Sequence, residues 1–125
     1  MPSPVDVVVV GAGIAGLASA RELSRSGRHV IVLEARDRVG GRLHSLKEGD
    51  AGIDLGATWF WANEPRVQSL IEALGLDVHA QHIDGDALYQ DPSGVHRLEG
   101  NPIEGPAGRL VGGMQALADA VAGTL

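Results

Sequence analysis

Residues 5–42 decide the fold, and they read VDVVVVGAGIAGLASARELSRSGRHVIVLEARDRVGGR. The β-branched run at 5–10 is typical of a strand that is buried on both faces of a parallel sheet. Apolar residues recur at helical spacing over 14–26, and Gly27 suits the end of that helix. A second short apolar strand follows at 29–34. The stretch therefore predicts a βαβ unit, whose two strands pair in parallel.

A glycine-rich segment, GAGIAG at residues 11–16, connects the predicted strand to the predicted helix. Gly11 permits a tight turn, Gly13 lets backbone approach a diphosphate, and Gly16 allows close packing of helix on strand. The helix N-terminus adds unpaired N–H groups and the positive end of a dipole. A glycine-rich surface turn is the alternative, but the flanking strand and helix favour a dinucleotide site.

Glu34 ends the second predicted strand, about 20 residues beyond the glycines, where a carboxylate accepts hydrogen bonds from ribose hydroxyls. The same carboxylate repels a 2′-phosphate, which disfavours NADP. These features do not separate FAD from NAD, because both cofactors carry an ADP moiety.

The next segment, EARDRVGGR at residues 34–42, favours FAD. It matches the second fingerprint of glutathione-reductase-like flavoproteins, in which a glycine pair and an arginine follow the ribose carboxylate. Gly40 and Gly41 are expected to bring backbone amides to the cofactor. Arg42 offers a fork of donors to phosphate or to the flavin side. A solvated basic loop is the alternative interpretation.

Two further arginines lie in the same segment. Arg36 is placed against the adenosine, whereas Arg38 is either a surface charge or a partner of Asp37.

With these motifs the chain resembles the flavin-dependent amine oxidase family, which includes monoamine and polyamine oxidases. The matching stretches are VVVVGAGIAGLASARELSRSG at 7–27, VLEARDRVGGR at 32–42, GIDLGATWFW at 52–61 and the glycine pair of GGMQ at 112–115. The resemblance implies FAD as cofactor, hydride transfer from the carbon beside an amine nitrogen, imine hydrolysis and flavin reoxidation by oxygen. It also implies that the segment at 56–59 passes the flavin, mainly with backbone contacts.

The residues assigned to FAD come from the glycine turn, the ribose carboxylate with its glycine pair, and the segment at 56–59. They are Gly11, Gly13, Ile14, Ala15, Gly16, Glu34, Ala35, Arg36, Gly40, Gly41, Arg42, Gly56, Ala57, Thr58 and Trp59. No catalytic residue is predicted, because neither Asp54 nor Asp84 has a paired group and turn polarity explains both. No metal ligand is predicted either, since His79 and His82 on one strand would face opposite ways.

The remaining chain predicts a small extension. Strands are expected at 43–46 and 52–55 around a turn at 47–50, and at 78–83, 87–90 and 95–98. A helix capped by Asn63 runs to Gly75, with Pro65 in its first turn. The glycines and prolines of residues 99–113 predict a long loop, and a last helix begins near Met114 with Leu117, Ala118 and Val121 on one face.

The predicted fold class is α/β, an incomplete Rossmann-like, glutathione-reductase-like FAD-binding βαβ unit with a β-hairpin and helix extension. Residues 1–62 form the FAD-binding core, 63–111 begin a substrate-side region, and 112–125 return to the cofactor domain. Trp59, Phe60 and Trp61 are expected beneath the flavin or in the core rather than in a cage for an amine.

Composition limits the function classes. A length of 125 residues suits one domain, and the net charge of −6 disfavours nucleic-acid and anionic-membrane partners. No cysteine is present, so disulfides and thiolate sites are excluded and the cytoplasm is the default compartment. The apolar run at 7–10 is too short to span a bilayer.

The sequence therefore predicts the FAD-binding segment of an amine-oxidase-like flavoprotein that is inactive as this chain alone. It would act on a small amine only when completed by further chain or by a complementary subunit. A NAD-dependent oxidoreductase fragment and a non-catalytic nucleotide-binding module are the alternatives. Exposed sheet edges and apolar surface predict self-association.

Overall fold

The computed structural model describes residues 4–49, 51–100 and 107–125. Within these ranges the elements follow in the order β1 (Val7–Val10), α1 (Ile14–Arg25), β2 (Val30–Leu33), β3 (Ser45–Glu48), β4 (Ala51–Asp54), β5 (Phe60–Trp61), α2 (Pro65–Ala73), β6 (Val78–Ala80), β7 (Ala87–Asp91), β8 (Gly94–Leu98), β9 (Ala107–Leu110) and α3 (Gln115–Ala122). None of the helices in these ranges has the length and apolar character that crossing a membrane requires.

The βαβ unit predicted from the sequence is confirmed. Strands β1 and β2 pair in parallel, with Val7 opposite Val30 and Val10 opposite Leu33. Helix α1 connects them and buries Leu17 and Ala20. The backbone then reverses at Gly27, whose φ of 82° lies in the left-handed region that glycine adopts without a steric penalty.

Burial of the strands on both faces is a wrong prediction. Along β1 and β2 the residues alternate between partly buried and exposed. Val10 is 85% exposed and Val8 is 52% exposed. Ile31 and Leu33 are exposed on β2 in the same alternation. A uniformly apolar run predicts two covered faces, but in the described part of the chain only the face toward α1 is covered. The other face presents aliphatic side chains to solvent.

The core lies between α1, α2 and α3. Leu17 of α1, Ile71 of α2 and Leu117 and Val121 of α3 are each at most 3% exposed and belong to one cluster. The predicted inward face of α3 is confirmed, because Ala118 is buried in the same cluster. Packing of α3 on α1 thus joins the C-terminal helix to the βαβ unit.

Two hairpins follow the predicted pattern with shifted ends. Strands β3 and β4 pair antiparallel with Ser45 opposite Asp54, and Asp50 of their predicted turn lies outside the described residues. Strands β7 and β8 pair with Asp91 opposite Gly94. The Asp91 carboxylate accepts the Ser93 N–H at 2.8 Å, which stabilises that turn.

A small sheet in the order β5, β9, β6 was not predicted. The expected loop at 99–113 is wrong in part, because β9 is the central strand of this sheet; Pro102, Gly105 and Pro106 lie outside the described residues. Strand β6 also ends at Ala80, so His82 lies beyond the predicted strand. Strand β9 forms because of a tertiary contact that the local sequence does not indicate. The ring of Phe60 lies over Gly108, and a Cβ on Gly108 would be 2.3 Å from that ring.

Helix α2 begins one residue later than Asn63 predicts. Its N-cap is Glu64, without a side-chain capping bond, and Pro65 occupies the first turn. The Glu64 carboxylate instead accepts the Trp61 N–H at 2.8 Å. Gly75, with φ of 64°, follows the C-terminal end of the helix as expected.

Candidate cofactor-binding site

The two glycine segments that the sequence singles out lie against each other. The Gly40 N–H donates to the Ala12 carbonyl at 2.7 Å, and Gly13 and Gly40 form a parallel bridge. Gly41 comes so close to Gly13 that a Cβ on Gly41 would be 3.3 Å from its Cα. The glycine turn and the glycine pair therefore form one continuous wall.

The glycine turn has the backbone geometry that its sequence suggests. Gly11 has a φ of 99°. A Cβ on Gly16 would be 2.1 Å from the Gly11 carbonyl oxygen and 3.3 Å from the Val9 side chain. A side chain at either position would break the turn or separate α1 from β1.

The N-terminus of α1 is open. Gly13 is its N-cap, with an extended backbone (φ −69°, ψ 167°), no side-chain capping bond and no acidic residue in the first turn. No atom of the described residues lies within 4 Å of where a Gly13 Cβ would be, apart from its chain neighbours and its own helix. Since the first N–H groups of a helix have no partner inside it, this end is left to a ligand or to water.

A cleft of about 900 Å³ begins at this helix end. Within the described ranges it is lined by three arginines, one histidine, glycine backbone and a few apolar side chains, and by no acidic residue. The lining residues are Gly13, Ile14, Ala15, Arg36, Arg38, Gly40, Gly41, Arg42, Leu43, His44, Leu55, Gly56 and Ala57. A positive cleft in a chain of net charge −6 is suited to an anionic ligand.

Most of the residues assigned to the cofactor meet at this cleft. Those in its lining are Gly13, Ile14, Ala15, Arg36, Gly40, Gly41, Arg42, Gly56 and Ala57. Gly11 and Gly16 belong to the glycine turn, and Glu34 and Ala35 directly follow β2; none of the four is among the lining residues. Thr58 and Trp59 do not line it: the Thr58 hydroxyl donates to the Gly56 carbonyl at 3.2 Å, and Trp59 is 46% exposed.

The segment after β4 closes the cleft on the far side. A Cβ on Gly56 would be 2.0 Å from the Arg42 carbonyl oxygen, and the Ala57 N–H donates to that oxygen at 3.1 Å. Leu43, His44 and Leu55 also line the cleft and were missed. Their adjacency to Arg42 and Gly56 is the signal that would have found them.

Arg38 differs from both roles that the sequence suggested. Its guanidinium donates to the carbonyl oxygens of Gly41 at 3.0 Å, Val39 at 3.2 Å and Leu43 at 3.4 Å. It is therefore a half-buried part of the loop rather than a surface charge or a partner of Asp37. The prediction that the Gly40 amide faces the cofactor is also wrong. Its N–H donates to the Ala12 carbonyl and is therefore not available to a ligand.

Glu34 is directed at the glycine turn. One carboxylate oxygen accepts the Ala12 N–H at 2.7 Å and the other accepts the Arg36 N–H at 3.0 Å. The N–H of Arg36, and next that of Ala12, lower the pKa of Glu34 below its ordinary value of 4.5. The side chain is thus ionised at neutral pH, and each oxygen keeps lone-pair capacity for a hydroxyl donor.

Asp54 is not a polar turn residue, as the sequence suggested. It is the last residue of β4, and its buried side chain holds the start of α3. Its side chain is 2% exposed and accepts the Ser45 hydroxyl at 2.6 Å and the Met114 N–H at 2.8 Å. Arg109 approaches the other oxygen at 3.5 Å. Ser45 in turn accepts the Gln115 N–H at 3.0 Å, so two strand residues cap α3 in place of its own N-cap.

The aromatic cluster divides between core and surface. Phe60 packs against the core, as expected, while the indole N–H of Trp59 donates to the Gln81 side chain at 2.9 Å. Trp59 and Trp61 lie with ring centroids 6.3 Å apart at 56°. The expected position beneath a flavin stays a prediction.

Comparison with known proteins agrees with the motifs and the cleft. A family model described as flavin containing amine oxidoreductase matches residues 14–123. The chain therefore belongs to the flavin-containing amine oxidoreductase family, and the resemblance stated from the sequence is confirmed. Membership also confirms the expected flavin cofactor, FAD.

Comparison with individual relatives shows what share of a full-length family member this chain covers. The chain is 43% identical over 104 residues to putrescine oxidase from Kocuria rosea, covering 82% of this chain and 21% of the relative. It is 45% identical to human amine oxidase [flavin-containing] B, covering 85% and 20%. The structure of cyclohexylamine oxidase from Brevibacterium oxydans IH-35A superposes with a TM-score of 0.70 at 34% identity, covering 82% and 24%. The chain thus spans about a fifth of the length of the relatives it matches.

Proposed function

We propose that this chain binds the ADP half of FAD in the arginine-lined cleft and forms the nucleotide-holding part of an amine-oxidizing flavoprotein. The observation that carries this proposal is the open N-terminus of α1, which faces a cleft lined by Arg36, Arg38 and Arg42. A helix end without a cap and with empty space at Gly13 suits the oxygens of a diphosphate.

Each part of the nucleotide has a suitable partner in the chain. The first turn of α1 and the guanidinium of Arg42 would hold the diphosphate, since both offer N–H donors beside positive charge. Glu34 would accept the ribose hydroxyls, and Arg36 would lie along the adenosine. Gly56 and Ala57 would pass the flavin end. Bound FAD supplies the acceptor for a hydride from an amine.

We further propose that the chain alone does not turn over amines. The cleft residues would bind and orient, and the described residues that line the cleft include no acid–base pair. The chain also spans about a fifth of its relatives, so the residues that would face an amine belong to further polypeptide. A peroxide-release assay on the FAD-supplemented 125-residue protein with a panel of small amines should show no turnover.

Nucleotide titration tests the binding proposal. Isothermal titration of the purified chain with ADP, FAD and FMN should show ADP and FAD binding and no FMN binding, because FMN lacks the ADP half. NADP should bind more weakly than NAD, since Glu34 repels a 2′-phosphate. Mass spectrometry of the co-purifying nucleotide separates FAD from NAD. FMN binding as tight as FAD binding, or ADP that fails to compete, would refute the assignment.

A second function, a non-catalytic nucleotide-binding subunit, is favoured by the exposed aliphatic face of β1 and β2. Such a face suits a complementary subunit or a second copy of the chain. Light scattering coupled to gel filtration measures self-association, and the intact masses of all co-purifying chains show whether a stoichiometric partner is present.

A further inference from the structure

Arg38 lies at the centre of the loop that follows the ribose carboxylate. Its two terminal nitrogens donate to three backbone carbonyls, those of Val39, Gly41 and Leu43. The side chain is half-buried and also lines the cleft. One planar group thus bonds three of the five carbonyls at 39–43, and the Gln115 side chain donates to one of them as well, that of Val39, at 3.1 Å.

The turn needs such a group because of its backbone geometry. Gly40 and Gly41 have φ of 100° and 60°, and around this left-handed pair the alternate carbonyls of Val39, Gly41 and Leu43 all accept from the one guanidinium. Carbonyl oxygens carry partial negative charge, which is unfavourable beside an anion. A guanidinium reaches them from two separate terminal nitrogens held in one plane, whereas a lysine offers its donors from a single nitrogen.

The three arginines of the cleft are therefore not equivalent. Among the described residues, hydrogen bonds to backbone carbonyls engage the guanidinium of Arg38, and none engages the guanidinium of Arg36 or Arg42. Arg36 and Arg42 keep their donors for a ligand. The donors of Arg38 are already used by the protein.

We propose that Arg38 is a positioning residue: it holds the turn at 39–43 in the shape that directs Arg42 and the Gly41 backbone into the cleft. It does not itself act as the phosphate ligand. This inference rests on the proposed function for its consequence on nucleotide binding, but its effect on the loop is independent of any ligand.

The first measurement uses the nucleotide-free chain. In the wild type the Gly40 N–H is bonded to Ala12 and the Leu43 N–H to Gly40. In Arg38→Lys and in Arg38→Met, hydrogen exchange at these two amides should be faster by about tenfold or more, while exchange in the core of α3 is unchanged. Equal exchange in wild type and Arg38→Lys would overturn the proposal.

The second measurement, the affinity for ADP, distinguishes a positioning role of Arg38 from a direct charge interaction with the phosphates. Arg38→Lys keeps the charge, so a direct phosphate ligand would be largely rescued, whereas a positioning fork would not. The dissociation constant for ADP should therefore rise about tenfold in Arg38→Lys and Arg38→Met alike, with Arg42→Lys as the charge-retaining comparison at a proposed ligand. ADP affinity within twofold of wild type in Arg38→Lys would overturn the proposal. If the wild type does not bind ADP, the proposed function fails, and the exchange measurement still decides the role of Arg38.

Discussion

The Gly40 amide donates to the Ala12 carbonyl, and this single bond of 2.7 Å joins the glycine turn before α1 to the glycine pair after β2. Ala12 is 2% exposed, and its own N–H donates to Glu34. Both polar groups of one buried residue therefore connect the glycine turn to the ribose carboxylate and to the glycine pair. These contacts hold together the two glycine segments that line the cleft.

Gly13 is predicted to be needed for binding and not for folding. In Gly13→Asp the carboxylate would cap α1, because the backbone of Gly13 is already extended as in an N-cap. We expect unchanged or slightly higher stability, by about 0.5 kcal/mol, together with loss of ADP binding. Urea unfolding and calorimetric titration measure the two effects.

Gly16→Ala is the matched control for that variant. Its Cβ would be 2.1 Å from the Gly11 carbonyl oxygen, so the variant should lose about 2 kcal/mol of unfolding free energy. Gly13→Asp that binds ADP as tightly as wild type would contradict the assignment of the helix end.

Acidification should weaken the contribution of Glu34 to stability. Its pKa is lowered in the folded protein, so the contribution is fully present above the ordinary value of 4.5 and is lost as the pH falls through the lower folded value. The difference in unfolding free energy between wild type and Glu34→Gln should be constant from neutral pH down to about pH 5 and should shrink below it. Glu22→Gln, at an exposed position on α1, is the control. A difference that grows on acidification would contradict the direction of the shift.

Asp54 is predicted to hold α3 on the β3–β4 hairpin. Asp54→Ala leaves the Met114 N–H and the Ser45 hydroxyl without their acceptor in a buried place, which should cost about 2 kcal/mol. Urea unfolding measures the loss, and Asp77→Asn at an exposed site should change the free energy by less than about 0.5 kcal/mol. Equal effects of the two substitutions would show that the capping contacts contribute nothing.

The open face of β1 is predicted to cause self-association. Val10 is 85% exposed, so Val10→Thr keeps the β-branched shape and removes apolar surface. We expect a lower apparent mass at high protein concentration in sedimentation measurements, with unfolding free energy within about 0.5 kcal/mol of wild type. Val9→Thr, whose side chain faces α1, should instead reduce stability. A wild-type chain that is monomeric at all concentrations would contradict this prediction.

The parts that the sequence predicts well are those in which local pattern and tertiary structure agree. The run at 7–10, the glycines at 11–16 and the helix after them specify the βαβ unit, because strand, turn and helix signals follow in register. Strand β9 has no such signal. Its four residues include Gly108, and it is a strand because β5 and β6 pair with it on either side.

The roles of Arg38 and Asp54 are also invisible in the sequence for a physical reason. The partners of Arg38 are backbone carbonyls, which every residue carries, so no residue type near it indicates the contact. Asp54 caps a helix that begins about sixty residues later, a distance at which spacing carries no information. The exposed face of β1 is missed because apolar composition indicates what a strand prefers and not what covers it.

One wall of the cleft is glycine main chain from two segments, held together by the bond between Gly40 and Ala12. This wall depends on backbone hydrogen bonds and on glycines such as Gly40 that leave no room for a side chain, so it places few requirements on the side chains around it. If the cleft holds a nucleotide as proposed, this backbone frame is compatible with more than one kind of substrate region, because its contacts do not involve the substrate.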